Sequence, residues 1–180
     1  MINESQLLEQ LKSDATRDLA FKELIRLYKE RLYWHIRNIV KSHEDADDVL
    51  QNTFIKIFRN INSFHGDSKL YSWMYRIATN ESISFINKRA KLLQITNEDT
   101  QQLALDQLKS DVYFEGDEIQ FKLQQAIARL PQKQQLVFNM RYFEDIKYKD
   151  MSEILETSEG ALKASYHLAV KKIEDYLTHD

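Results

Sequence analysis

Apolar residues recur along most of this chain with helical spacing. Between Asp45 and Ile61 they fall at positions 46, 49, 50, 54, 57 and 61, the i, i+3, i+4 rhythm of a helix with one buried face. A second such helix begins beside Lys69 and runs to Arg89, with Leu70, Trp73, Met74, Ile77, Ala78 and Phe85 on its stripe. Asn62 to Lys69 is the tight polar turn between them. Upstream, residues 4–13 predict a short leading helix. Residues 17–41 predict a long one, with Leu24, Leu27, Tyr28, Leu32, Ile36 and Ile39 in register. Tyr28, Tyr33 and Trp34 read as core and core edge, and His35 as structural or exposed. Helices of this kind make a first domain of about 85 residues, large enough to fold alone.

The rhythm fails over residues 90–117, where apolar positions scatter among Gln, Asp and Glu. The stretch reads as an acidic linker, partly extended, against the alternative of one more ordinary helix. Periodicity resumes at 118–130 with Ile119, Leu123, Ala126, Ile127 and Leu130. Pro131 suits a helix start, where its missing N–H costs nothing. A helix from Gln132 to Tyr142 turns Leu136, Val137 and Met140 inward. Two more follow, Tyr148 to Leu155 and Ser158 to about Leu177, joined only by Glu156 and Thr157. So short a joint between helices of about eight and nineteen residues predicts a helix-turn-helix unit, with Ser158 as N-cap of its second helix.

Composition sharpens this picture. Among 180 residues there are three Gly and one Pro, few enough to favour helices with short connections. There is no Cys, which removes disulfides and thiolate chemistry and suits a reducing cytoplasm. The N-terminus is polar, unlike a signal peptide, and no apolar run approaches the roughly 20 residues of a membrane span. Net charge is -3, unevenly spread. Residues 1–90 hold 14 basic and 12 acidic side chains, residues 91–120 hold 2 and 7, and residues 121–180 hold 9 of each.

The faces opposite the stripes carry the chemistry. Opposite the 46–61 stripe lie Asp48, Gln51, Asn52 and Arg59 around a lone Ile55. A single Ile on a polar face is ordinary, and an Ile ringed by polar groups is also how a docking surface is composed. On the last helix Leu162, Tyr166, Ala169, Ile173 and Leu177 form the inward stripe, and Gly160, Lys163, Ala164, His167 and Lys171 face the other way. Small residues near its start would let the helix enter a major groove, and Lys163 and His167 could reach phosphates or base edges. The same face also reads as a solvated surface bearing lysines. His43, Glu44, Asp45, Asp47 and Asp48 are the one acidic cluster with a His. Consecutive positions scatter around a helix, so no metal site and no cofactor are expected. No nucleophile–base constellation points to an enzyme.

Taken in order, Asp45, Ala46, Asp47, Asp48, Gln51, Phe54, Phe58, then Trp73, Ile77, Ala78, Asn80, Lys88 and Arg89, the first half resembles region 2 of the extracytoplasmic-function (ECF) sigma factors. These are the dissociable promoter-recognition subunits of bacterial RNA polymerase. Leu130 and Pro131, and the stretch from Val137 to Leu177, resemble their region 4. The resemblance implies an all-α chain of two small helical domains: 1–90 as region 2, 91–117 as linker, 118–180 as region 4. It implies core RNA polymerase as partner, through the largest-subunit coiled coil and the flap, with promoter DNA, an anti-sigma factor as a further partner, and no membrane insertion. Asp48, Gln51, Asn52, Ile55 and Arg59 would dock on the polymerase. Phe64, His65, Lys69, Tyr71, Arg76, Asn80, Lys88 and Arg89 would open the -10 element and hold unstacked bases, a job suited to aromatic platforms and polar groups. Tyr75 is a weaker candidate there. Arg141, Ser158, Glu159, Gly160, Lys163, Ala164, His167 and Lys171 would read the -35 element. The chain departs from the family at Glu156, where the turn usually holds Gly. It also departs at Ser165, Leu168 and Val170, where Arg is frequent, so fewer phosphate contacts are expected. The rival is a dimeric helix-turn-helix regulator of duplex DNA, against which the chain shows no obvious dimerisation helix.

Overall fold

The computed structural model describes residues 3–94 and 118–179, with positions 96, 99, 102, 103, 105 and 106 between them. Eight α-helices, and no strand, occur among the described residues. They are α1 (Glu4–Lys12), α2 (Arg17–Val40), α3 (His43–Asn60), α4 (Leu70–Leu93), α5 (Glu118–Ala128), α6 (Gln132–Tyr142), α7 (Tyr148–Leu155) and α8 (Glu159–His179). A short 3-10 turn, Ile61–Ser63, follows α3.

The helix starts have local causes. Asn3 and Gln6 form a capping box on α1. The Asp45 N–H donates to Ser42 Oγ at 3.3 Å to open α3. The cap of α4 is tertiary instead: the Leu70 N–H donates to the Glu4 carboxylate of α1 at 3.0 Å. At the α7–α8 joint Glu156 takes the left-handed conformation, φ 50°. The turn that usually holds Gly is therefore made with Glu, and its N–H still donates to the Ser152 carbonyl. Ser158 caps α8 through the Ala161 N–H at 3.3 Å.

Helices α2, α3 and α4 pack on one another, with α1 laid against α2. Leu24, Leu32, Ile36, Ile57, Ile61, Leu70 and Met74 fill the space between them. Ala126, Ile127, Leu130, Phe138, Ala169 and Ile173 close a second, smaller core among α5, α6 and α8. Several expectations shift. Helix α4 continues to Leu93 and ends at Gln94 in the left-handed conformation, so residue 90 lies inside a helix rather than at a domain edge. Leu27 and Trp34 of α2 lie on the solvent flank of its stripe and are exposed. Ile119, 74 % exposed, precedes the part of α5 that α8 covers. Leu177 is exposed while Tyr176 packs in its place. The linker reading of the remaining stretch falls largely outside the described residues.

The two units touch. Helix α7 lies against α4, and Val137, Met140, Ile146, Met151, Ile154 and Leu162 join the core built by α1 to α4. Met151 and Ile154 are almost fully buried. Each such side chain contributes about 1.5–3 kcal/mol by leaving water. His35 is part of this seam. It is 1 % exposed, with Nδ1 3.1 Å from both Glu144 carboxylate oxygens and Nε2 2.8 Å from Thr79 Oγ1. Asn139 Nδ2 donates to the Asn38 carbonyl at 3.2 Å beside it.

Candidate nucleic-acid interface

Three helix faces carry the residues singled out by sequence, and they differ in what covers them. On α3, Asp48, Gln51, Asn52, Ile55 and Arg59 are all exposed and follow helical spacing, so they form one strip. Ile55 is 47 % exposed at its centre. The buried face of the same helix is Ala46, Val49, Leu50, Thr53, Phe54 and Ile57. Among the described residues, no hydrogen bond or ion pair to another helix involves the strip. Its neighbours are occupied: Asp45 pairs with Arg89 of α4, and Lys56 pairs with Glu81. His43 Nδ1 lies 2.5 Å from the Tyr33 hydroxyl. The acidic start of α3 is thus divided among separate partners, as consecutive helix positions must be.

On α8, Ser158, Glu159, Gly160, Lys163, Ala164, His167 and Lys171 are exposed. Leu162, Ala169 and Ile173 hold the helix from behind. Arg141 of α6 sits beside this face, pairing with Asp145 and lying 5.8 Å from the Tyr148 ring centre. Lys163 Nζ lies 5.7 Å from the same ring and 3.9 Å from Glu159. Two cations thus flank one aromatic ring at the start of α8, each also beside a carboxylate, Asp145 or Glu159.

The α4 face is different. His65 is exposed in the loop, beside Gly66 at φ 84°, a conformation Gly adopts without strain. Asn80 and Lys88 are exposed, and Arg89 is half-buried against Asp45. Phe64, expected as a base platform, is turned inward. It is 4 % exposed and packs on Trp73 with ring centres 5.3 Å apart. An apolar ring next to a vacant core position gains more by burial than by standing in the loop. Tyr75 is buried as well, and burial pushes its hydroxyl up to about 12.

Lys69, Tyr71 and Arg76 meet helix α7. Lys69 Nζ donates to Asp150 Oδ1 at 2.7 Å. Burial would push the Asp150 carboxyl up, but hydrogen bonds from Lys69 and Tyr71 hold it below the usual carboxylate range. Burial and the Asp150 carboxylate together push the Tyr71 hydroxyl well above its ordinary value. Arg76 Nε and Nη2 donate to the Glu153 carbonyl at 3.1 and 2.5 Å, and Nη1 to Glu156 at 3.2 Å. That guanidinium satisfies a carbonyl in the last turn of α7, where the helix offers none of its own N–H groups. Sequence reading did not single out Asp150, Glu153 or Glu144, and it noted Glu156 only as the residue of the turn. They lie about 75 to 110 positions from their partners, and no local pattern links groups that far apart.

Residues 24–92 match the family model for Sigma-70 region 2, and residues 120–173 that for Sigma-70, region 4. The RNA polymerase sigma-H factor of Pseudomonas aeruginosa is 28% identical, across 97% of this chain and 93% of that protein. The ECF RNA polymerase sigma factor SigW of Bacillus subtilis is 30% identical, across 82% and 83%. Among solved structures, the fold is shared with the CnrH of a complex with the cytosolic domain of CnrY, at TM-score 0.70 and 17% identity over 98% of both chains. It is shared too with the sigma factor RpoE of Bartonella quintana in complex with the anti-sigma factor NepR, at TM-score 0.67 and 21% identity over 89% and 98%.

Proposed function

The chain belongs to the ECF RNA polymerase sigma factors, and on that premise we propose how its three helix faces divide the work of starting transcription. As a sigma factor it binds core RNA polymerase and promoter DNA and directs the enzyme to its promoters. The α3 strip of Asp48, Gln51, Asn52, Ile55 and Arg59 docks on the coiled coil of the largest subunit. His65, Lys69, Tyr71, Arg76, Asn80, Lys88 and Arg89 hold the opened -10 element. Phe64 contributes by anchoring the loop from beneath. The α8 face, with Arg141, reads the -35 element in duplex form. Region 2 then spans residues 1–93 and region 4 residues 118–180, the second also contacting the polymerase flap. The role is positional, carried out in the cytoplasm, with no catalysis by the chain itself. An anti-sigma factor is proposed as a further partner, since the Bartonella relative is held by one.

The observation that carries the docking assignment is that α3 is buried on one side only, leaving a polar strip with a half-exposed Ile55 that no other helix covers among the described residues. Interface centres concentrate binding energy in such apolar residues ringed by polar ones. Asp48→Lys with Ile55→Ser should leave the melting temperature nearly unchanged, because exposed substitutions shift stability by about 0.5 kcal/mol or less. Affinity for core polymerase should fall by about 2 kcal/mol or more. Titration of labelled chain with core enzyme measures this, and unchanged affinity would place the interface elsewhere.

A further inference from the structure

Helix α8 turns a large apolar side chain outward in the middle of its exposed face. Leu168 is 49 % exposed, on the side away from Leu162, Ala169 and Ile173, which bury the helix from behind. Ala164 lies one turn before it and Ala161 two turns before, and both are exposed. Lys171 and Lys172 follow within a turn, exposed as well. Lys172 Nζ donates to Gln134 Oε1 of α6 at 3.1 Å, which steadies that cation beside the helix. Helical side chains lean towards the N-terminus, so Leu168 covers the turn that holds Ala164. With alanine at 164 and 161, no longer side chain stands over it along that line.

An exposed Leu on its own is ordinary. This one lies within the face assigned above to duplex reading, and the inference rests on that assignment. In a major groove it would meet the edges of base pairs after water has left. Leucine offers no donor or acceptor, so a polar base edge pressed against it loses its bonds to water without replacement. The base edges of the major groove carry one apolar group, the C5 methyl of thymine. We propose that Leu168 is a specificity-determining residue, which reads a thymine of the upstream element by packing on its methyl group beside Ala164. The lysines on either side hold phosphates and carry no sequence information themselves. Leu168 supplies a preference for thymine over the other bases without a hydrogen bond.

The test uses the holoenzyme formed by the full chain and a duplex promoter that it transcribes. Each thymine of the upstream element, on either strand, is replaced in turn by deoxyuridine. That change removes the methyl and keeps every hydrogen-bonding group of the base. With the wild-type chain, at least one position should lose about fourfold in affinity by competition titration, the worth of one buried methyl. Leu168→Ala should bind the thymine and deoxyuridine duplexes alike at that position. Should Leu168→Ala lose helicity by circular dichroism, Leu168→Gln, which keeps a long side chain without the apolar end, carries the same expectation. Indifference of the wild type to deoxyuridine at every position would overturn the inference, as would a difference that survives removal of the Leu168 side chain. Affinity that does not change when the whole upstream element is scrambled would overturn the assignment of α8 beneath it, and the inference with it.

Discussion

Helix α4 and helix α8 both carry basic and aromatic residues proposed for DNA, yet the fold treats their faces in opposite ways. On α8 the lysines and His167 stand in solvent, backed by a stripe from the second core. On α4 three of the corresponding groups, Lys69, Tyr71 and Arg76, lie in a seam between the two halves of the chain and bond to α7, while His65, Asn80 and Lys88 stay exposed. The difference teaches that residue type marks a nucleic-acid face, whereas availability is a tertiary property. A face backed by its own helix's stripe is free by construction. One whose helix is long enough to pack on both sides is free only if nothing else docks there.

The contrast can be sharpened by substitutions on each helix. Met74 of α4 is fully buried, so Met74→Ala should cost about 2–5 kcal/mol, read as a shift in the urea midpoint of the full chain. Leu168 of α8, 49 % exposed, should cost about 0.5 kcal/mol or less when made Ala. Equal losses would mean that α8 is covered too. Next in size, Lys163→Ala should weaken holoenzyme binding at the preferred upstream element by about 1–3 kcal/mol and relax preference there. Uniform loss across scrambled upstream sequences would make Lys163 a phosphate contact instead. Lys171→Ala should act alike on all promoters and lower the slope of log affinity against log salt by about one.

The smallest effect belongs to the seam and depends on pH. Asp150 faces Lys69 and Tyr71 from α4 and lies near Lys147 on its own side. Its folded-state value is depressed, so its contribution is fully present above the ordinary Asp value of about 3.9 and is lost as pH falls through the lower folded value. Wild type should therefore exceed Asp150→Asn in urea midpoint at pH 7, and the gap should narrow as pH falls below about 4. A gap that stays constant to pH 3 would show that the carboxylate charge does not hold the seam.

Much of this was written in the sequence. The six-point stripe of α3, the stripe of α8 and the two-residue joint before it fixed helix identity, inward face and outward chemistry, because each depends only on residues within a few turns. The exposed strip around Ile55 and the bare face of Lys163 and Lys171 followed from the same periodicity. The inward turn of Phe64 was not legible, since a loop ring has no periodic context and its position depends on Trp73 being there to receive it. The extension of α4 to Leu93 was hidden by the loss of apolar rhythm after Phe85, although its helical residues continue. His35 could not be given a partner, because Glu144 lies 109 positions away. The same holds for Asp150 with Lys69 and for Glu153 with Arg76, where the pairing exists only once two separately formed cores meet. Local spacing determined which faces turn outward, and the family resemblance marked those proposed for DNA and polymerase contact. Only the tertiary structure decided which of those faces is occupied, because that depends on how two amphipathic units bury their remaining apolar surface against each other.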